Sequence, residues 1–356
     1  MELEIAENIL KEYGFSTADV QIHQIGSGHI NRTYLLSTPD QKYILQHINT
    51  EVFKQPEAIA HNISIVARYL HRHYPEYLFP SSIKTTKGGE MVQYENEYWR
   101  LMPYVPQTVA LDTLSDPKQA YEAAKQFGKL SRLLNHFDSS QLQLTIPGFH
   151  DLELRYAQFT QALDLASTSL KQSCEDEIEQ AVGHHYILDY FKSYQNNPDF
   201  QDRVMHHDTK ISNVLLDAQT FNGVCVIDLD TLMPGKFISD LGDMMRTYLC
   251  AFSENETDLD KINIRLPYFS AMIEGYLSEM KNILTPVEKE LILFSGKYII
   301  YMQAIRFLTD YLNGSIYYPV KYVTQNLDRA KNQFRLLYEL NINEKELQDI
   351  IESYLI

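Results

Sequence analysis

The chain has little cysteine and no surplus of positive charge, and both shortages exclude whole classes of function. Its cysteines are Cys174, Cys225 and Cys250, far apart and without a CxxC pair. Neither a disulfide framework nor a structural zinc site is expected, which suits a reducing compartment. Lys and Arg number 31 against 47 Asp and Glu, for a formal net charge of −16. Nucleic acid requires a basic stripe to displace counterions, and an anionic membrane surface attracts the same stripe, so neither is an expected partner. No apolar run is long enough to span a bilayer. The opening residues Met-Glu-Leu-Glu carry no cationic stretch ahead of an apolar one, so no secretory leader is expected and a cytoplasmic location is read.

What is present fits a globular protein. The 356 residues are 44% hydrophobic and 22% charged, enough for one large domain or two ordinary ones with a real core. Tyrosine is abundant at 25 residues, and its polar tip suits interfaces and polar pockets as well as cores. Residues 2–13 read as a short amphipathic helix, with Leu3, Ala6, Ile9 and Leu10 on one face and Gly14 as its cap. Val20–Ile25, Thr33–Ser37 and Lys42–Ile48 read as strands, the last two separated by Pro39-Asp40. Residues 57–73 have helical period, with Ile59, Ile63, Val66 and Leu70 inward. A second strand pair is expected around Gly88-Gly89, closing with Tyr98–Val105. From about residue 116 the pattern is helical, except for short apolar runs at Val204-Met205, Val214–Leu216 and Val224–Leu229.

Three motifs carry chemistry. Gly26-Ser27-Gly28-His29-Ile30-Asn31 follows the first strand and leads into a β-branched, aromatic run. A dinucleotide loop opens a helix instead, so strand–glycine loop–strand points to a phosphate cover, although an ordinary hairpin turn produces the same glycines. Val204-Met205-His206-His207-Asp208-Thr209-Lys210-Ile211-Ser212-Asn213 reads H-x-D-x-x-x-x-N between two short apolar strands. Phosphoryl transfer needs a carboxylate to orient the attacking hydroxyl and accept its proton, and a second group to hold magnesium. Asp208 fits the first role and Asn213 the second, while Lys210 is placed to steady γ-phosphate charge. His206 is read as a brace. Fifteen residues after Asn213, the strand Val224–Ile227 ends in Asp228-Leu229-Asp230. A carboxylate at a strand tip is how magnesium is chelated between β- and γ-phosphates, and Asp228 is chosen for that role. Asp230 is open between a metal contact, a substrate contact and a solvated acid. Asp240 and Asp243 are expected to cap the next helix and brace the Asp208 loop.

With these motifs the chain resembles the aminoglycoside phosphotransferase/choline kinase superfamily. Further blocks, Tyr43–Asn49, Ile146–Asp151, Ile227–Gly235 and Arg306–Leu312, look like those of the N-acetylhexosamine 1-kinases within it. The resemblance covers nearly the whole chain. It implies an α+β, bilobal, protein-kinase-like fold, with a nucleotide-binding lobe over residues 1–103 and a helical catalytic and substrate lobe over 104–356. It also implies ATP- and Mg2+-dependent phosphorylation of the anomeric hydroxyl of N-acetylglucosamine or N-acetylgalactosamine. Asp208 is then the base, Asn213 and Asp228 hold magnesium, and Arg306 and Asp230 are candidates for the sugar pocket. Gly26, Ser27, Gly28, His29 and Asn31 belong to the phosphate cover. The adenine is expected on the backbone of Leu101-Met102-Pro103-Tyr104. One departure stands out. Where the family pattern places a phosphate-binding lysine, the strand Tyr43–Ile48 has Gln46, a neutral amide, with Lys42 and Arg32 nearby but off position. Competing readings are a kinase for homoserine, a choline-like amino alcohol or an aminoglycoside, and a nucleotide-binding pseudokinase. Acidic residues lining the acceptor pocket favour a cationic substrate; Arg306 with histidine and tyrosine favours a neutral sugar.

Overall fold

The computed structural model describes residues 3–16, 20–25 and 31–356. Helix α1 (Leu3–Glu12) is followed by β1 (Gln21–Ile25), β2 (Arg32–Ser37) and β3 (Lys42–Ile48), then α2 (Pro56–His73), β4 (Val92–Tyr94) and β5 (Glu97–Pro103). The strands form one antiparallel sheet in the order β1-β2-β3-β5-β4. Alternation along the strands sets its packing: Tyr34, Leu36, Leu45, Trp99 and Leu101 bury one face against Ile9, Leu10 and Tyr13. Gly14 ends the first helix at φ +80, which lets the Phe15 amide bond back to the Leu10 carbonyl at 3.0 Å. The hairpin expected at Gly88-Gly89 turns instead at Glu95-Asn96, where β4 meets β5. Both residues have positive φ (49 and 64), the backbone twist that matches paired strands. Gly88 and Gly89 form a separate turn closed on Thr85.

The remainder is mostly helical. It runs through β6 (Thr108–Val109), α3 (Pro117–Leu133), α4 (Leu152–Leu165), α5 (Thr168–Gln172), α6 (Glu175–Gly183) and α7 (Tyr186–Tyr194). A small β insert follows, of β7 (Arg203–Met205), β8 (Val214–Asp217), β9 (Gly223–Val226) and β10 (Met233–Gly235). The chain closes with α8 (Ile238–Tyr248), α9 (Leu266–Met280), α10 (Pro286–Glu290), α11 (Ile292–Leu312), α12 (Gln325–Ile342) and α13 (Glu344–Leu355). The architecture is an antiparallel sheet region followed by a helical body, the bilobal layout of the protein-kinase-like fold. No helix among the described residues is long and apolar enough to cross a membrane.

The two parts are joined by α2. Its inward residues Ile59, Ile63, Val66 and Leu70 belong to the large core of the helical body, not to the small core of the sheet. In the middle of that apolar face sits Asn62, fully buried. Its amide nitrogen donates to the Gln143 and Leu232 carbonyls at 2.8 Å each, and its oxygen accepts from the Gln143 amide at 2.8 Å. These bonds pin α2 to the segment ahead of α4 and to the β insert itself, just before β10. Asn62→Leu is isosteric enough to fill the space but orphans those backbone groups, and is expected to lower stability by about 2 kcal/mol or more. Urea unfolding of the two proteins tests this, and coincident midpoints would show the bonds to be dispensable.

Candidate active site

The loop between β7 and β8 carries Asp208, and α8 holds it in place. Asp240 accepts from the His206 and His207 amides at 3.0 and 2.7 Å, and Asp243 accepts from the Thr209 amide at 2.8 Å. Both acids brace the loop as expected, but neither caps the helix, since the N-cap position of α8 is Phe237 and bears no side-chain cap. Glycine seats α8 closely against α11: a Cβ at Gly242 would lie 2.2 Å from the Ser295 carbonyl of α11. Bracing is needed because the loop is strained, with His207 at φ +67. His206 is buried and bonded through both ring nitrogens, to the Ile227 carbonyl (2.9 Å) and the Asp208 amide (3.3 Å).

Asp208 faces the crevice. Its carboxylate receives Lys210 Nζ at 2.9 Å and the Asn213 amide nitrogen at 2.9 Å. Burial works to raise its pKa, but the Lys210 charge and hydrogen bond, His206 and the Asn213 amide outweigh it and hold the acid below its ordinary range. Asp208 is therefore a carboxylate at neutral pH, ready to accept a proton. Because Asn213 turns its nitrogen to Asp208, its side-chain oxygen is left to face a cation.

Asp228 follows β9 in a left-handed conformation (φ 58, ψ 58), again a strained backbone at the crevice. Burial first, then repulsion from Asp230 and Asp208, pushes its pKa up to about 7. A divalent cation would relieve that repulsion. Asp228 and Asn213 offer hard oxygen donors, which fit magnesium. Among the described residues no group of His, Cys, Asp and Glu forms a closed metal cage. That suits an ion held by one or two protein oxygens and completed by phosphates and water.

Asp230 does not line an open pocket. It is 2% exposed, ion-paired with the equally buried Arg100 guanidinium, and accepts from Asn31 Nδ2 at 2.6 Å. Asn31 also accepts from the Asn49 amide at 2.9 Å, so it ties β2 and β3 to the acid. Gln46 holds Arg100: its oxygen accepts Arg100 Nε at 3.0 Å, and its nitrogen donates to Thr33 Oγ1 at 3.1 Å. Gly26, Ser27, Gly28, His29 and Ile30 lie outside the described residues. Leu101 is fully buried in β5, and its carbonyl accepts from the Ile83 amide at 2.7 Å. Pro103 ends β5 and has no N–H to donate, which leaves its carbonyl alone as a base contact.

A continuous chain of side chains leads from the Asp208 loop to Arg306. The His207 and His150 rings are 5.5 Å apart and share Ser239 Oγ, and His150 stacks on Phe149 at 4.5 Å. Burial pulls the His207 pKa down to about 4 and, with the neighbouring His207 and Arg306 charges, holds His150 well below its usual value. Arg306 of α11 lies over Phe149 (5.7 Å) and Tyr318 (5.6 Å) and donates to Gln303 at 3.2 Å. Tyr318 is positioned by buried Asp310, whose carboxylate accepts the amides of Ile316, Tyr317 and Tyr318 and the Asn326 side chain. A cleft of about 250 Å³ runs behind His207 and His150, between Gly148 and Lys236.

Comparison with known proteins agrees with this layout. A model of the phosphotransferase enzyme family matches residues 21–265, well over half the chain, including the Asp208 loop and Asp228. The chain belongs to the phosphotransferase enzyme family. Solved structures share its fold end to end at low identity. A spectinomycin phosphotransferase in complex with ADP and spectinomycin is 16% identical at a TM-score of 0.61, covering 97% of this chain and 99% of that one. A microcompartment-associated aminopropanol kinase is 16% identical at 0.58 (98% and 99%), and a choline kinase from Cryptosporidium parvum is 16% identical at 0.57 (99% and 99%). Arg306, Tyr318 and Asp310 of this phosphotransferase lie beyond the matched segment, where family likeness says nothing of the acceptor.

Sequence reading missed Arg100 and Tyr318. The signal for Arg100 was a lone charge inside the apolar strand Trp99-Arg100-Leu101-Met102, since a charge is buried only against a partner. Tyr318 carried no local signal, because Asp310 folds its loop back onto Arg306.

The raised Asp228 pKa has a testable sign. The folded phosphotransferase keeps a proton there that the unfolded chain releases near pH 4, so ionising Asp228 destabilises the fold progressively as pH rises from about 4 to 7. Asp228→Asn removes that penalty. In metal-free buffer it is expected to melt above the parent at pH 8, with a margin that narrows toward pH 5. A variant that melts below the parent at pH 8 would mean the Asp228 charge is stabilised in the fold.

Proposed function

We propose that this phosphotransferase is an ATP- and magnesium-dependent kinase that phosphorylates the anomeric hydroxyl of an N-acetylhexosamine, N-acetylglucosamine or N-acetylgalactosamine. Asp208 orients the hydroxyl and accepts its proton as the new P–O bond forms and the bond from the γ-phosphorus to the departing ADP breaks; the ion pair with Lys210 keeps Asp208 ionised beforehand. Asp228 and the Asn213 side-chain oxygen would hold magnesium, which would supply positive charge to neutralise the nucleotide phosphates. Lys210, 43% exposed, is free to shift its ammonium toward the transferred phosphoryl group as Asp208 gains its proton.

The observation that carries the sugar reading is the wall beyond His207. It presents Arg306 between Phe149 and Tyr318, next to His150, and Arg155 lies within the electrostatic reach of Arg306. Such a wall repels an ammonium and suits a neutral polyol. Ring faces pack on C–H groups while the guanidinium donates to hydroxyl or acetamide oxygens. Asp230, the acid nearest in sequence to Asp228, is neutralised by Arg100 and does not offer a charge to a cationic acceptor.

The deciding experiment supplies Mg-ATP with N-acetylglucosamine, N-acetylgalactosamine, galactose, homoserine, choline or kanamycin, and follows ADP release and product mass. A 1-phosphate made from the N-acetylhexosamines is expected; turnover of choline, homoserine or kanamycin alone would overturn the sugar assignment. Asp208→Asn is expected to lower kcat by about 10²–10⁴-fold while ATP still binds near the parent affinity. A variant with parental kcat would remove Asp208 from the reaction.

A further inference from the structure

We propose that Arg100, reaching across from β5, supplies the positive charge for the nucleotide phosphates that Gln46 of β3 does not. The inference rests on the nucleotide-binding reading of this crevice. Gln46 and Arg100 are direct partners in the β3–β5 ladder. Side chains so paired leave the same face of a sheet within about 5 Å of each other, so a cation moved from one strand to the other still serves the same spot. The side chains confirm the match: the Gln46 oxygen accepts from the guanidinium, and Thr33 fixes the Gln46 amide in turn. Gln46 therefore orients the cation.

The guanidinium is incompletely used. Its Nε and Nη2 are engaged by Gln46 and Asp230. Its Nη1 is buried and has no hydrogen-bond partner among the described residues. A buried donor of a charged group left in that state is disfavoured, which marks it as a group awaiting an acceptor. Arg100 also lies within electrostatic reach of Asp228, where its charge favours the ionised form. An anion that bridged the two would be a phosphate, whose oxygens suit the planar fork.

The other cations nearby are committed elsewhere. Arg32 is more than half exposed and pairs with Glu97 while donating to His47. Lys42 lies over the Tyr104 ring. Lys210 is held by Asp208 at the transferred end. Among the described residues Arg100 is the cation left to face the phosphates nearer the nucleoside.

The test compares ADP with adenosine by titration calorimetry in EDTA, so that only protein contacts to phosphate are read. Arg100→Met is expected to weaken ADP by about tenfold or more, the worth of a charge-assisted contact, while adenosine changes little. Since removing one member of a buried ion pair destabilises the fold, Arg100→Met/Asp230→Asn, which deletes both charges, is measured in parallel and is expected to lose the same preference for ADP. Adding Gln46→Lys to Arg100→Met, which returns the cation to β3, is expected to restore it. If ADP and adenosine affinities fall together, or neither falls, Arg100 is only the counter-ion of Asp230 and the inference is wrong. If the parent itself binds ADP no better than adenosine, the phosphate site fails as well, and the kinase reading with it.

Discussion

The molecule is organised around carboxylates crowded at one crevice and in the core just behind it. Asp208 and Asp230 both lie within electrostatic reach of Asp228, and burial strengthens the repulsion. Such a cluster is tolerable only if cations or protons are supplied. Each acid has a different answer: Lys210 for Asp208, Arg100 for Asp230, and for Asp228 a proton near neutrality. A divalent ion bound there would replace that proton and relieve the repulsion together. The crowding of these acids is thus also what would suit the crevice to a metal-bound polyphosphate.

The rest of the fold holds this cluster in place. Left-handed backbone at His207 and Asp228 is unfavourable, and it persists because neighbours leave no alternative. Asp240 and Asp243 grip the loop amides from α8, and Gly242 seats α8 against α11. From the other side, Asn62 fastens α2 to the Leu232 carbonyl, just past Asp230, while Asn31 and Arg100 fasten the sheet to Asp230 itself. The ion pair between Arg100 and Asp230 therefore does two things. It neutralises a buried acid, and it sets the distance between the sheet that would cover a nucleotide and the loop that would act on it.

Sequence alone determined which residues the proposed reaction centre draws on. H-x-D-x-x-x-x-N and the strand ending at Asp228 are short, contiguous motifs, and residues a few positions apart on a strand–loop–strand segment cannot be far apart in space. The order of sheet and helices was legible for a similar reason, since periods of 2 and 3.6 are local properties. The hairpin turn was misplaced because glycines mark a turn without saying which turn joins two strands; Glu95 and Asn96 adopt positive φ without either being glycine.

Only the tertiary structure decided what surrounds that centre. The pairing of Gln46 with Arg100 spans 54 residues, and that of Arg100 with Asp230 crosses from the sheet to the helical body. Arg306 meets Phe149 and Tyr318 only because α11 and the loop hung on Asp310 return to the Asp208 side of the molecule. Charge compensation and pocket walls depend on which strands are neighbours and how helices cross, and neither strand register nor helix crossing is written in any one stretch of chain. A local motif fixes which atoms do chemistry; the long-range packing fixes what charges and surfaces those atoms face.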